Sequence, residues 1–481
     1  MSDDAPRRRH LDDWRAAVDA ERREEARKGG NLIALWAGLV LVLTLLYVMI
    51  GSTPYLHERD LDPLTGAATM SPINRTIWLS LLVLALPILW FRRGEVVEIS
   101  KRLWPLLLAF AWFAATSRWA LDPAASSRRL FLYIVDLIIC VAVVAGLRDA
   151  RRIHFAMAVA CLIVMAIDLG SWIFAPGISM TDIGLAAIHT HKNTLGAAML
   201  FSGLVISPYL LFPTALGPRL FWSAMFLICV ALLIASLSKT SMALLAAFVV
   251  LMPLLMGLLK LRAPLLRAAA AAGGLTVLGL LVGWTAFAYA TGRDPLEPIA
   301  GVTFTQRTDV WAFALDQFAQ HPLKGLGFGS FWDIDPKVQP SLQSDAWFAQ
   351  PDAYTNESHN GYIDLLVTTG LPGLAVSLFL LVRWGGRGLD LLRQGLGSKD
   401  EAVRADLPHA VFLAVFPLVF FVHNWMESSY FTANAMFGII ILLVGVDLDM
   451  RYTPATPPPE PRARRALDAG APRLLPPGWR P

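Results

Sequence analysis

The chain has 481 residues, of which 56% are hydrophobic and only 16% charged, and its mean hydropathy is +0.53. A soluble domain carries about 25% charged residues, so this composition excludes a water-soluble globular enzyme and points to a polytopic membrane protein. The formal charge of +4 acquires meaning only when sorted by side of the membrane, and no nucleic-acid partner is expected from it.

Residues 1–30 are dense in both charge signs and are expected to form an amphipathic or frayed helix at the membrane surface. Apolar blocks of about 17–23 residues follow, the length that crosses roughly 30 Å of hydrocarbon. Twelve spans are expected, at 31–50, 75–91, 103–117, 129–147, 153–174, 193–212, 220–236, 240–259, 268–290, 360–382, 408–424 and 430–449. The first begins only after the charged tail and is long, so it reads as a span and not as a cleaved signal peptide. Cys140, Cys161 and Cys229 all fall inside apolar blocks; they offer no disulfide framework or zinc spacing and read as small apolar residues.

The domain organisation expected is a tail at 1–30, spans one to nine at 31–290, a large loop at 291–359, spans ten to twelve at 360–449 and a tail at 450–481. The loop carries four basic and nine acidic residues. Within it "TQRTDVWAFALDQFAQ" places Trp311, Ala314, Leu315 and Phe318 at i, i+3, i+4 and i+7, which predicts an amphipathic helix. The Gly-rich "HPLKGLGFGSFW" after it predicts turns. Structured loops of this length are usually functional. The last segment, with "TPATPPPEPRARR", is expected to be disordered.

With the N-terminus in the cytoplasm, 30 of the 41 Lys and Arg residues fall on the inner side. The positive-inside rule therefore places both termini in the cytoplasm and the large loop outside. Five outer helix ends then carry ionisable groups: "DPAASSRR" (Asp122–Arg129), "IHTHKN" (Ile188–Asn193), "SLSKTS" (Ser236–Ser241), Arg307 with "ESHNGYID" (Glu357–Asp364), and "HNWMESS" (His423–Ser429). The inner connections are mostly plain Arg and Lys anchors.

Each group has two readings. Arg128 and Arg129 suit phospholipid headgroups as well as a substrate. His189 and His191 suit loop backbone partners, or a two-histidine metal site that lacks a third ligand of diagnostic spacing. Lys239 suits an interfacial anchor, and Asp333 with Asp335 in "WDIDP" suits a divalent cation. Asp136 and Asp168, inside or near spans, suit either function or an interhelical hydrogen bond. Lys192 and Asn193 begin the sixth span and Lys239 the eighth, and helix N-termini favour anions. Arg307 adds a planar fork matched to phosphate oxygens. Together these groups read as an anion clamp at the outer membrane–water boundary.

At this point the sequence resembles the O-antigen ligase and polymerase superfamily of bacterial envelope glycosyltransferases, nearest the exopolysaccharide polymerase branch. The resemblance covers roughly residues 100–445. It rests on "WALDPAASSRR" at 119–129, "HTHKNTLG" at 189–196, "SLSKTS" at 236–241, "RTDVW" through "HPLKGLGFGSFW" at 307–332, and "HNGYIDLLVTTGLPG" at 359–373. It implies an all-α polytopic fold of GT-C-like architecture in the bacterial inner membrane, with a large periplasmic loop before a late helix. It also implies an undecaprenyl-diphosphate-linked glycan donor, with no cofactor and no metal. Arg307 is expected to contact the diphosphate and His359 to activate the acceptor. Lys239 stands where ligases often carry an arginine in "S-x-S-R", which favours a polymerase.

An acceptor sugar hydroxyl needs a base, expected in His359 with Glu357 or Asn360 orienting it and Glu427 as a further candidate. The departing diphosphate needs cations, expected in Arg307, Lys192, Lys239 and Arg128, with Arg129, His189 and Asn193 nearby. Single displacement inverts the anomeric centre. The acceptor is another lipid-linked glycan for a polymerase, and lipid A-core or a protein for a ligase. Membrane lipids, a flippase and a chain-length regulator are expected partners. The rival class is a twelve-helix secondary transporter, which predicts repeat symmetry and broken helices at mid-membrane.

Overall fold

The computed structural model describes residues 29–55, 72–212, 215–261, 265, 291, 307–350, 353–432 and 435–452. The helices that matter here are α1 (Gly29–Ile50), α2 (Pro72–Phe91), α3 (Arg93–Arg102), α4 (Trp104–Thr116), α5 (Pro123–Leu147), α6 (Ala150–Phe174), α7 (Lys192–Ile206), α8 (Leu216–Ser236), α9 (Lys239–Leu259), α10 (Arg307–Gln320), α11 (Gly361–Gly397), α12 (Leu407–Met426) and α13 (Met436–Arg451). The only strand pairing among the described residues is a two-residue ladder, Met180–Thr181 against Gly184–Leu185. The protein is an all-α polytopic membrane protein.

Nine helices among the described residues are long and apolar enough to cross a membrane. The expected spans at 103–117 and 430–449 appear as the shorter α4, of 13 residues, and α13, of 16. At 1.5 Å per residue these rise about 20 and 24 Å, short of the hydrocarbon thickness. The expected span at 268–290 lies outside the described residues, as do nearly all of the two tails.

Local chemistry sets the helix starts. Asp122 and Asp149 accept hydrogen bonds from Ala125 N and Arg151 N, both at 2.9 Å, and cap α5 and α6. The cap and Pro123 start α5 six residues before the expected 129, so Arg128 and Arg129 lie within its first turns. α11 runs 37 residues, well past the expected 382.

Helix ends gather in two groups. At one end Arg148 pairs with Glu95 at 3.0 Å and Arg151 with Asp406 at 3.3 Å; Arg102 donates to Met450 O at 2.9 Å and Arg393 to Leu261 O at 3.2 Å. At the other, Tyr55 N donates to Ile188 O and Leu121 N to Leu326 O. This sorting is the alternation that successive spans require, and the expected inner residues occupy one end together. Between the ends, Trp78, Phe113, Phe201, Trp384 and Phe412 are buried in one apolar core. α11 and α12 pack closely because a Cβ at Gly388 would fall 2.4 Å from Leu413 O.

The outer part of α11 is welded to the loop. The helix breaks at Gly370, whose φ of +69° is open to glycine. Leu326 N and Gly327 N donate to Val367 O and Thr368 O at 2.9 and 2.8 Å, and Leu371 N donates to Pro322 O at 2.9 Å. Trp112 Nε1 donates to Thr369 O at 2.8 Å.

α10 forms as expected, but its buried side is Val310 and Ala314 with Phe313 and Phe318, while Leu315 is 41% exposed. Phe313 packs on Phe331 and Phe348, so the loop's own aromatic cluster, which spacing alone does not show, sets the face.

Candidate active site

The site begins where α11 meets α12. Asn360 caps α11, its Oδ1 accepting from Tyr362 N and Ile363 N at 3.1 and 3.2 Å. Next to it Gly361 leaves no space for a side chain, since a Cβ there would lie 2.2 Å from Asn424 Oδ1. Asn424 Oδ1 in turn accepts from Ser429 N and Tyr430 N, folding the chain back after α12. These contacts bring residues 68 positions apart into one cluster.

His359 stands at the centre. Its Nδ1 lies 2.7 Å from Glu357 Oε1 and 3.2 Å from Glu427 Oε2. All three side chains are about a quarter to a third exposed. Its backbone φ is +52°, in the left-handed region that costs a side-chain-bearing residue of order 1–3 kcal/mol. Arg307, the first residue of α10, lies alongside: Nη1 donates to Met426 O at 2.6 Å and Nη2 lies 3.5 Å from Glu427 Oε1. The expected catalytic residues His359, Arg307 and Glu357 are thus together, with Glu427 joining the two halves. Asn360 is occupied as a helix cap, and the carboxylates that contact the His359 imidazole are those of the two glutamates.

Electrostatics follow from this packing. Burial works against a charged imidazole, yet Glu357 and Glu427 together push His359 up to about 9. Burial likewise opposes ionisation of Glu427, but His359 and Arg307 hold its carboxyl below the usual carboxylate range. The carboxylates face Nδ1, so the hydrogen-bond network assigns Nδ1 as the donor and leaves Nε2 as the nitrogen able to take a proton. Ligand atoms of Glu357, His359 and Glu427 lie within 4.8 Å of one another, a set chemically able to receive a divalent cation, although the Arg307 guanidinium already supplies positive charge to Glu427 there.

The other expected residues lie elsewhere around this end. Lys192 and Lys239 open α7 and α9, whose first turns abut: a Cβ on Gly196 would lie 2.3 Å from Ser238 Cβ. Lys192 Nζ donates to Ile183 O at 3.1 Å, Lys239 is exposed and Asn193 is exposed. His191 caps α7 by accepting from Asn193 N. His189, in the loop before α7, is fully buried against Asp168 of α6, Nε2 to Oδ2 3.1 Å, so Asp168 ties that loop to α6 and does not bridge two helices. Arg128 is exposed. Arg129 donates to Gly329 O, Trp332 O and Asp333 O at 2.5, 2.8 and 2.6 Å, so its guanidinium fastens the loop to α5. Asp333 accepts from Tyr354 OH and Asn356 Nδ2 and Asp335 from Lys337 N, so the two acids are held by separate donors.

Sequence reasoning passed over Asp364, Ser358 and Ser428, which lie directly behind the glutamates and the histidine. An acid one turn inside an apolar helix was the available signal.

Comparison with curated proteins gives no match. A family model described as O-antigen ligase matches residues 224–378, a stretch that contains Lys239, Arg307, Glu357 and His359. Over that stretch, about a third of the chain, this polytopic membrane protein is similar to the O-antigen ligase family, and the match distinguishes no branch of the wider ligase and polymerase superfamily.

Proposed function

We propose that the chain transfers a glycan from an undecaprenyl-diphosphate donor to an acceptor sugar hydroxyl at the periplasmic face, extending a polysaccharide. The observation that carries this reading is His359 held by two glutamates at the mouth of an apolar helix, with Arg307 against one of them.

The chemistry follows from the donor set. The acceptor oxygen attacks the anomeric carbon, the bond from that carbon to the diphosphate oxygen breaks, and the centre inverts. His359 Nε2 takes the acceptor proton, while Glu357 and Glu427 stabilise the imidazolium that results. The leaving diphosphate is already a stable anion and needs positive charge more than a proton. Arg307 offers a fork with both arms already oriented by Met426 O and Glu427. Lys192 and Lys239, at abutting helix N-termini, extend the positive field toward the lipid side.

A ligase reading has its own support in the description of the matched family, whereas Lys239 in place of an arginine favours polymerisation. Both share donor and chemistry and differ in acceptor. Purified protein offered lipid-linked glycan alone should form longer lipid-linked chains if it polymerises. Transfer only when lipid A-core or a protein is added would make it a ligase.

The roles of His359 and Arg307 separate experimentally. His359→Ala should leave donor binding intact and lower transfer by about 10²–10⁴-fold, the scale of general-base loss. Arg307→Ala should weaken donor binding and turnover together, and Arg307→Lys should recover only part. A folded His359→Ala protein with wild-type turnover would remove His359 as the base and leave Glu357 or Glu427 in that role.

A further inference from the structure

We infer that Asp364 is the positioning residue of this site, fixing His359 and Glu427 relative to each other through the serine that flanks each. The inference rests on the proposed catalytic role of His359.

Asp364 lies in the first turn of α11. Its Oδ1 accepts from Trp332 Nε1 at 2.9 Å and from Ser358 N at 3.3 Å. The Ser358 hydroxyl reaches the same oxygen, and the Ser428 hydroxyl reaches Oδ2. Ser428 Oγ also accepts from Asn360 N at 3.1 Å. Ser358 is the residue between Glu357 and His359, and Ser428 follows Glu427. One carboxylate therefore holds both backbone segments that present the three reactive side chains. Trp311 Nε1 closes the arrangement by donating to Ser358 O at 2.8 Å.

The chemical type of Asp364 matters. A carboxylate is acceptor-only, with two oxygens and about four lone-pair directions, and here donors arrive from three separate pieces of chain. Ser358 is fully buried and Ser428 is 6% exposed, so each hydroxyl must find an acceptor inside the protein. A neutral amide in the same place offers one oxygen for these donors and turns an N–H₂ toward the remaining hydroxyl. The contact that follows is longer, and the segment it holds shifts. His359 already sits at a positive φ, a conformation kept only by surrounding contacts, so the loss acts on the imidazole first. Displacement of a reacting group by about 1 Å lowers turnover about 10²-fold.

The test is a pair of variants in purified full-length protein, Asp364→Asn and Ser428→Ala, each made in the wild type and in His359→Ala. Donor binding is measured with lipid diphosphate, turnover by product formation, and folding by thermal melting. Asp364→Asn should lower kcat by about 10–10²-fold with donor affinity unchanged within about twofold. Ser428→Ala, which removes one donor to Asp364 and the acceptor of Asn360 N but leaves the contacts to Ser358 and Trp332, should show a smaller loss in the same direction and covers the case in which Asp364→Asn does not fold. In the His359→Ala background neither substitution should lower the residual rate further, because its effect runs through the histidine. A folded Asp364→Asn enzyme with wild-type kcat overturns the inference, as does an equal loss in both backgrounds, which marks general destabilisation. If His359→Ala alone keeps wild-type turnover while Asp364→Asn loses it, the proposed role of His359 fails and Asp364 is acting through Glu427. If His359→Ala is inactive and Asp364→Asn is not, the role of His359 stands and the positioning claim falls.

Discussion

Transfer should accelerate about 50-fold between pH 7 and pH 9, where half of the base is neutral. His359 is pushed up to about 9 by Glu357 and Glu427, and a base acts only in its neutral form. Below that value the neutral fraction falls tenfold per pH unit, to about one part in ten at pH 8 and one in a hundred at pH 7. The sign is fixed: the group is raised, so lower pH holds it protonated and inactive. The same linkage acts on stability in the opposite sense. The ionic contacts of His359 stabilise the fold fully below its unfolded value near 6.5, and that contribution is lost as pH rises through about 9. The active form is thus the one in which the cluster is least tightly held. The assay is single-turnover transfer with donor bound beforehand, at constant ionic strength, so that the chemical step is observed. Glu427→Gln removes one of the two carboxylates and should move the break in the profile down, toward 6.5. A wild-type rate that is flat from pH 7 to 9, or a break unmoved by Glu427→Gln, would refute the assignment of His359 Nε2 as base.

Other outcomes follow from geometry. A reporter active only in the periplasm should be active when fused after Ser341 and silent after Arg387, and the reverse pattern would put the cluster on the cytoplasmic side. On the proposed role of cationic side chains in holding a diphosphate, transfer should survive EDTA; activity lost and then restored by Mg²⁺ or Mn²⁺ would instead assign a cation to Glu357, His359 and Glu427. Arg129→Met leaves three loop carbonyls without their donor and should lower stability by about 1–3 kcal/mol, read by thermal melting, with donor affinity unchanged. Unchanged melting with weakened donor binding would return Arg129 to the substrate.

The helices were legible in the sequence because length and apolarity are local properties. Nine of the expected spans have a helix starting within four residues of the expected position; α5 starts six residues early because its Asp122–Pro123 start lies upstream of the apolar run, and α13 starts six residues late. The site was legible in part. His359, Glu357 and Arg307 were singled out by type and position, and their meeting with Glu427 is geometric. What periodicity does not encode is partner choice between distant segments. Arg129 and Arg128 are neighbours in sequence, yet one fastens loop carbonyls and the other is exposed. His189 reads as a ligand in "IHTHKN", but Asp168, 21 residues earlier, takes it in a fully buried pair. Asp364 was hidden by its setting, an acid in the apolar stretch "GYIDLLV" whose donors arrive from Trp332 and Ser428.

The weld between the loop and the broken turn of α11 has a consequence for cooperativity. The amides of Leu326, Gly327 and Leu371 are engaged across the break at Gly370, so they exchange with solvent only when the turn at 367–371 itself opens. Their protection in hydrogen exchange should match that of the helix bundle and exceed that of a surface loop. Residues 322–327 therefore unfold with the membrane bundle and not before it, and the end of α11 that presents His359 inherits the bundle's rigidity.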